Sequence, residues 1–336
     1  MDIRGFREAD VPDVVRMWNG AVASGEMLYR PLTEGYFREK FLSPEVYEPG
    51  LLLAAEEGGR VVGFIAGCRP RAFLPGQTEA NTPGYLTMLL VDAGQRRRGV
   101  GSALLLALED ALKGLGKTAL AVSSLNPVNL DWVIPGTPGH EHNKAPGADE
   151  EGPGYPFLLN RGFVPRVREA AMYLDLSQYE KSPDVEGKRE SLRAQGVTAG
   201  LYDPALGYEF DEMCDRVGSE YWRKVLRDEL AKESPRPILA ATVPGHIVAF
   251  TGPVDRQESG RGWFTGICTD PQYERRGIAT VLFADLMEQF LRAGARYSTL
   301  FTGVENHAQR LYAKAGFRAA RHFAIMNKDL KEKDGY

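Results

Sequence analysis

Two short segments hold the residue types that handle phosphate. Val91-Asp92-Ala93-Gly94-Gln95-Arg96-Arg97-Arg98-Gly99-Val100-Gly101-Ser102 lies between an apolar strand and an amphipathic helix. A helix N-terminus leaves backbone N–H groups unpaired and carries partial positive charge. Glycines let an anion approach those groups, and arginines add planar donors. Such a turn can cradle a phosphate or pyrophosphate. The second segment is Thr269-Asp270-Pro271-Gln272-Tyr273-Glu274-Arg275-Arg276-Gly277-Ile278-Ala279-Thr280, with Glu274 where the first has Arg96. Neither contains the lysine-bearing P-loop or the three-glycine dinucleotide pattern, which argues against nucleotide hydrolysis and nicotinamide chemistry.

A third group, His140-Glu141-His142-Asn143, gathers imidazole and carboxylate. His-x-His can supply two metal ligands, but no cysteine or third histidine is near. A solvated loop is the first expectation. The alternatives are a lid over the first acceptor cleft, anchored by Trp132, Val133 and Ile134, and a metal site serving a hydrolase.

The elements around the two turns repeat. Apolar runs flank a glycine turn at 51–66 and again at 238–250, reading as hairpins. Each is followed by a further short strand, the basic turn, and a helix whose apolar residues recur at three- and four-residue steps (100–112 and 278–291). Glycine stops, another strand (118–123; 297–302) and a Gly-Phe pair (Gly162-Phe163; Gly316-Phe317) complete both copies. The first copy carries about 24 extra residues between Asn126 and Tyr155. The expected division is an N-terminal domain 1–175 with an inserted loop at about 127–154, a linker 176–196 with a short helix around 188–194, and a C-terminal domain 197–336.

Composition agrees with a soluble cytosolic protein. The chain has 336 residues, 43% hydrophobic and 26% charged, with a net charge of −4 and three cysteines, Cys68, Cys214 and Cys268. These numbers exclude a disulfide scaffold and a nucleic-acid-coating protein. No apolar run spans a membrane, and Met1-Asp2-Ile3-Arg4 is no secretory signal.

With Arg96, Gly99 and Gly101 in one turn and Pro271, Gly277 and Ala279 in the other, each after a hydrophobic strand, the chain resembles the GNAT superfamily of acyl-CoA-dependent N-acyltransferases. Its tandem form is similar to mycothiol synthase-like proteins. The resemblance implies an α/β chain of two GNAT domains, each a mixed, mostly antiparallel sheet flanked by helices. It implies acetyl-CoA as co-substrate, no metal, an amine of a small molecule or peptide as acceptor, and direct transfer. The pantetheine arm would pair with Leu89, Leu90 and Val91 in copy one and with Ile267, Cys268 and Thr269 in copy two. Arg96, Arg97, Arg98, Gly99, Val100, Gly101 and Ser102, and Arg275, Arg276, Gly277, Ile278, Ala279 and Thr280, would meet the pyrophosphate.

The family's thiolate acid is a tyrosine four residues before the glycine of Gly-Phe. Here that is Tyr312, with Asn306 near the place of a cofactor-contacting asparagine. In copy one Leu158 stands there and cannot donate a proton, so Tyr155 or an insertion residue substitutes, or the copy binds without catalysing. Acceptor contacts would come from Trp18, Asn19 and Glu26, and from Glu209, Asp211, Glu212, Tyr221 and Trp222. A reading from another class is a catalytically silent acyl-CoA sensor or scaffold.

Overall fold

Phe64 and Ile65 are neighbours in the strand Arg60–Cys68, and both are fully buried, on opposite faces of a sheet. Phe64 packs with Trp18, Phe37 and Phe41 from the helices Val11–Ala23 and Glu34–Phe41. Ile65 packs with Leu104, Leu108 and Leu112, one stripe at four-residue spacing along the helix Val100–Gly114. A nine-residue strand this apolar has to be covered on both sides, and the helices do so.

The computed structural model describes residues 1–71, 73 and 76–331. The chain forms two units. One comprises Met1–Ala170 together with the chain from Arg321 onward; the other is Ala171–Ala320. In the first unit the strands run in the order Asp2–Gly5, Leu52–Glu57, Arg60–Cys68, Gly84–Val91, Ala119–Val122 and Arg318–Asp329. All neighbours are antiparallel except Gly84–Val91 with Ala119–Val122. The sixth strand comes from the end of the chain, pairing Met326 with Val122 and Lys328 with Leu120. These contents differ from the contiguous halves read from the sequence, because a sheet edge is satisfied by whichever strand supplies the hydrogen bonds.

The insertion of the first copy secures that strand. Trp132–Val133 forms a short hairpin with Glu141–His142, and Trp132 meets Phe323 edge to face at 5.1 Å between centroids. Ala148 and Asp149 pair with Ala324 and Phe323, while Arg321 is held by Asp149 at 2.8 and 2.9 Å and by Glu151 at 2.7 Å. Trp132 and Ile134 are buried as anchors. The expected solvated loop is instead paired backbone packed against apolar side chains.

In the second unit Thr198–Leu201, Leu239–Val243, His246–Gly252 and Gly266–Thr269 make an antiparallel sheet. Arg261–Trp263 runs parallel to Tyr297–Gly303. Helices Asp211–Val217 and Glu220–Leu230 cover one face of the antiparallel sheet, and Ile278–Arg292 covers the other. The segment expected as a linker belongs to this unit. It folds as helix Asp184–Ala194, whose Arg189 grips Asp285 at 2.5 and 3.0 Å.

The duplication holds to single residues. A register shift follows Ala55↔Gly63 in one hairpin and Ala241↔Ala249 in the other. A Cβ on Gly84 would lie 2.6 Å from Leu112 Cδ2, and one on Gly262 would lie 2.6 Å from Phe290 Cγ. Both glycines let the long helix approach the strand at the same place.

Candidate active site

The strand Gly84–Val91 pairs with Ala119–Val122 at two positions, Gly84↔Leu120 and Tyr85↔Ala121, after which the two part. On its other edge pairing continues to Val91, with a shift at Ala66/Gly67 that leaves Thr87 as a bulge residue. Asp92 N donates to Val62 O at 2.9 Å, which sets the parity of the ladder. Leu90 and Met88 then bond inward to Phe64 and Ala66, and Leu89 and Val91 turn their backbone N–H and C=O groups toward the opening. The second unit repeats this fork. Arg261↔Tyr297 and Gly262↔Ser298 pair, the strand breaks before Gly266, and Asp270 N donates to Val248 O at 2.8 Å. Ile267 and Thr269 face the opening. Leu90 and Cys268, expected beside them, have their backbone groups in the ladder and their side chains buried.

Past each fork the chain makes the same turn. Asp92 accepts from Gly94 N and Asp270 from Gln272 N, at 3.1 and 2.9 Å. Arg97 and Arg275 both have φ of 60°, a left-handed conformation costly for a side-chain-bearing residue, and Gly99 and Gly277 follow at 87° and 88°. In each turn a left-handed glycine directly precedes the first right-handed helical residue, a pairing that aims successive N–H groups into one hollow, an anion-binding nest. No side chain caps the helices that begin at Val100 and Ile278. The hollow and the first helical N–H groups fit a pyrophosphate.

The side chains of the turns divide unequally. Arg96 is committed to the protein: Nη1 and Nη2 bond Glu26 at 2.7 Å each, and Nε donates to Val91 O at 3.2 Å. It braces the turn. The same pair holds the Glu26 carboxyl below its usual range. Arg98 bonds Gln95, and Arg276 lies over the Tyr273 ring at 4.8 Å. Arg97 and Arg275 are exposed and form no ion pair among the described residues. Glu274 is likewise exposed. A Cβ on Gly99 would meet nothing within 4 Å, whereas one on Gly277 would stand 3.0 Å from Lys188 Cδ.

Tyr312 sits in helix Gln309–Lys314 and is buried, its ring 5.2 Å from Phe283 and 6.2 Å from Phe317. Its hydroxyl makes no hydrogen bond among the described residues, and burial raises its pKa above the ordinary tyrosine value. Asn306 is exposed and caps the following turn through Ala308 N at 2.9 Å. In the first unit Leu158 packs with Leu105 and Phe163 in the core.

The profile of the acetyltransferase (GNAT) family matches residues 22–131 and 201–317, together about two thirds of the chain. The chain belongs to the acetyltransferase (GNAT) family. It is accordingly an acyltransferase by family, in tandem form. Its fold is similar to a fungal multi-domain GH3 β-N-acetylglucosaminidase with a GCN5-related glucosamine N-acetyltransferase region, at TM-score 0.65 and 15% identity, covering 97% of this chain and 38% of that one. It is also similar to a GCN5-related N-acetyltransferase from Sphaerobacter thermophilus, at 0.59 and 16%, covering 98% and 96%. A third likeness is to a tandem GNAT protein from the clavulanic acid biosynthesis pathway, at 0.53 and 18%, covering 99% of each chain. No curated protein sequence matches the chain significantly.

Around this GNAT framework the expected acceptor residues separate. Trp18 is core, its Nε1 donating to Arg30 O at 2.8 Å, and Asn19 clasps Leu32 at both backbone atoms. Both shape the loop. Glu26 lines an open cleft of about 480 Å3 with Glu150, Glu151 and Arg321. In the second unit Asp211 and Glu212 pair with arginines, Glu209 bridges to His246, and Trp222 lies against Gly266 and Phe250. Tyr221 is exposed. A smaller cavity of about 60 Å3 lies at the first fork, lined by Leu86, Thr87, Val122, Ser123, Asn126 and Lys144 among others. Among the described residues no group of three or more His, Cys, Asp or Glu side chains is placed to hold a metal, and no helix is long and apolar enough to cross a membrane.

Sequence reasoning missed two contributors, Lys188 beside Gly277 and Lys144 at the first fork, and it placed Glu26 as an acceptor contact where the structure makes it the brace of Arg96. None of these roles has a local signature, since each residue meets its neighbour across a long stretch of chain.

Proposed function

We propose that the protein moves an acetyl group from acetyl-CoA directly to an amine of a small molecule or peptide, with the second unit as the catalytic one. The observation that carries this reading is the fork followed by an anion nest, built twice, with Tyr312 four residues before the Gly-Phe pair of the second copy and Leu158 at that place in the first. Amide formation from a thioester needs a neutral amine, a polarised carbonyl and a proton for the departing thiolate. The backbone N–H groups at Ile267 and Thr269 are suited to polarise the carbonyl, an oxyanion-hole role. The nest at 275–280 is suited to the pyrophosphate. Tyr312 supplies the proton: a free thiol has a pKa of about 8.5, so even a weak phenolic acid can protonate the thiolate.

In the first unit the nest at 97–102 and the backbone of Leu89 and Val91 serve the same binding, with Leu158 removing the acid. The acceptor's class follows from the chemistry of the transfer, and its identity does not. Titration calorimetry with acetyl-CoA and a thiol-release assay over a panel of amines test the reading. Turnover on an amine, with loss in Tyr312→Phe, is the expected result. Binding without turnover on any amine would instead support a sensor.

A further inference from the structure

One nucleophile near the first fork has no part in the transfer above. Lys144 comes from the inserted segment, and its Nζ donates to Ser124 O at 3.1 Å, two residues past the strand Ala119–Val122. It helps to line the cavity of about 60 Å3 that opens where Gly84–Val91 and Ala119–Val122 part, facing the bulge residue Thr87. A water needs about 10–15 Å3 on this measure, so the cavity has room for an acetyl group. Lys144 is half-buried and forms no ion pair among the described residues. Burial without a counter-charge lowers its pKa and raises the share of neutral amine. The other titratable groups near it are Tyr29 in the cavity wall and His142, whose Nδ1 accepts from Lys144 N at 3.4 Å.

We propose that Lys144 is an acyl acceptor within the chain: an acyl-CoA thioester held in the first fork acetylates its Nζ. The inference rests on the acetyl-CoA reading of the first unit. The lone pair of the neutral amine forms the N–C bond, the C–S bond breaks, and the proton shed by nitrogen passes to the thiolate. The products are Nε-acetyl-lysine and the CoA thiol. No separate acid is required, which accords with Leu158 at the acid's place. The acetylated side chain then occupies the cavity, so the modification proceeds once per chain.

The full-length protein is incubated with acetyl-CoA and followed by intact and peptide mass spectrometry, with acetyl-CoA binding measured in parallel. The expected result is one acetyl group, on Lys144, added at least about tenfold faster than on exposed Lys224, because a thioester held in the fork is positioned against Lys144 alone. It should vanish in Lys144→Arg while acetyl-CoA still binds, and the selectivity should vanish in urea. Equal labelling of Lys144 and Lys224 overturns the proposal, as does an unmodified Lys144 in a chain that binds acetyl-CoA. An unmodified Lys144 in a chain that binds no acetyl-CoA overturns the acetyl-CoA reading as well.

Discussion

Glu109 and Lys328 stand 219 residues apart in the sequence, and their Oε1 and Nζ atoms meet at 2.5 Å, with Glu109 buried. The contact joins the helix Val100–Gly114 to the last strand of the chain, both within the first unit. Removing residues 321–336 should therefore expose the edge of Ala119–Val122 and leave Glu109 without its cation. Residues 1–175 expressed alone are expected to unfold without a cooperative transition and to be cut readily by protease. A sharp thermal transition of that fragment at the temperature of the full chain would contradict this. The milder Arg321→Ala, which strips Asp149 and Glu151 of their shared partner, should cost about 2 kcal/mol by denaturant titration.

Tyr312→Phe keeps the ring against Phe283 and Phe317 and deletes only the hydroxyl. The turnover number is expected to fall by about 100-fold or more, with KM for acetyl-CoA nearly unchanged. Because burial raises the tyrosine pKa, the acid stays protonated past its ordinary value, so the alkaline limb of the wild-type profile should lie above pH ~10. An alkaline limb well below that point would assign the proton to another group.

Gly99→Ala and Gly277→Ala separate backbone strain from crowding. Both positions are left-handed, so each alanine should cost about 1 kcal/mol and weaken acetyl-CoA binding several-fold at its own nest. At Gly277 the new methyl also meets the Lys188 stem at 3.0 Å, and the larger defect is expected there. Lys188→Ala should return part of the Gly277→Ala loss and leave Gly99→Ala unaffected, as calorimetry on the double variants would report.

Glu229 sets an acid limit on the second unit. Burial opposes its ionisation, but hydrogen bonds from Arg236 and Lys232 outweigh that and hold the carboxyl at about 2, against an ordinary 4.5. A depressed pKa stabilises the fold above the unfolded value and loses that stability as pH falls from about 4.5 toward 2. The contribution at neutral pH is about 3 kcal/mol. Glu229→Gln should lower the melting temperature at pH 7 and flatten the dependence of stability on pH across that window.

Much of this protein is local enough to read from residue order. The strand–turn–helix units, the glycines that open two helix N-termini, the Gly-Phe pairs and the contrast of Tyr312 with Leu158 are all set by neighbours within a few positions. They recur in the same order in both halves, so the duplication and the family were legible without coordinates. The nest follows from the same residues, since glycine takes a positive φ at little cost.

The tertiary structure decided what depends on partners far along the chain. A bulge at Thr87 shifts the parity of its strand by one residue, so Leu89 and Val91, and not Leu90, face the fork. The edge of Ala119–Val122 took its partner from the end of the chain, and the segment with His140 and His142 became the scaffold that holds it. Arg96 found Glu26 and not solvent, and Lys144 came to the first fork from within the insertion. Sequence spacing fixes which atoms are adjacent along a strand or helix. Which edges pair, and which charges end up buried together, is settled only when the whole fold competes for the same hydrogen bonds and the same apolar surface.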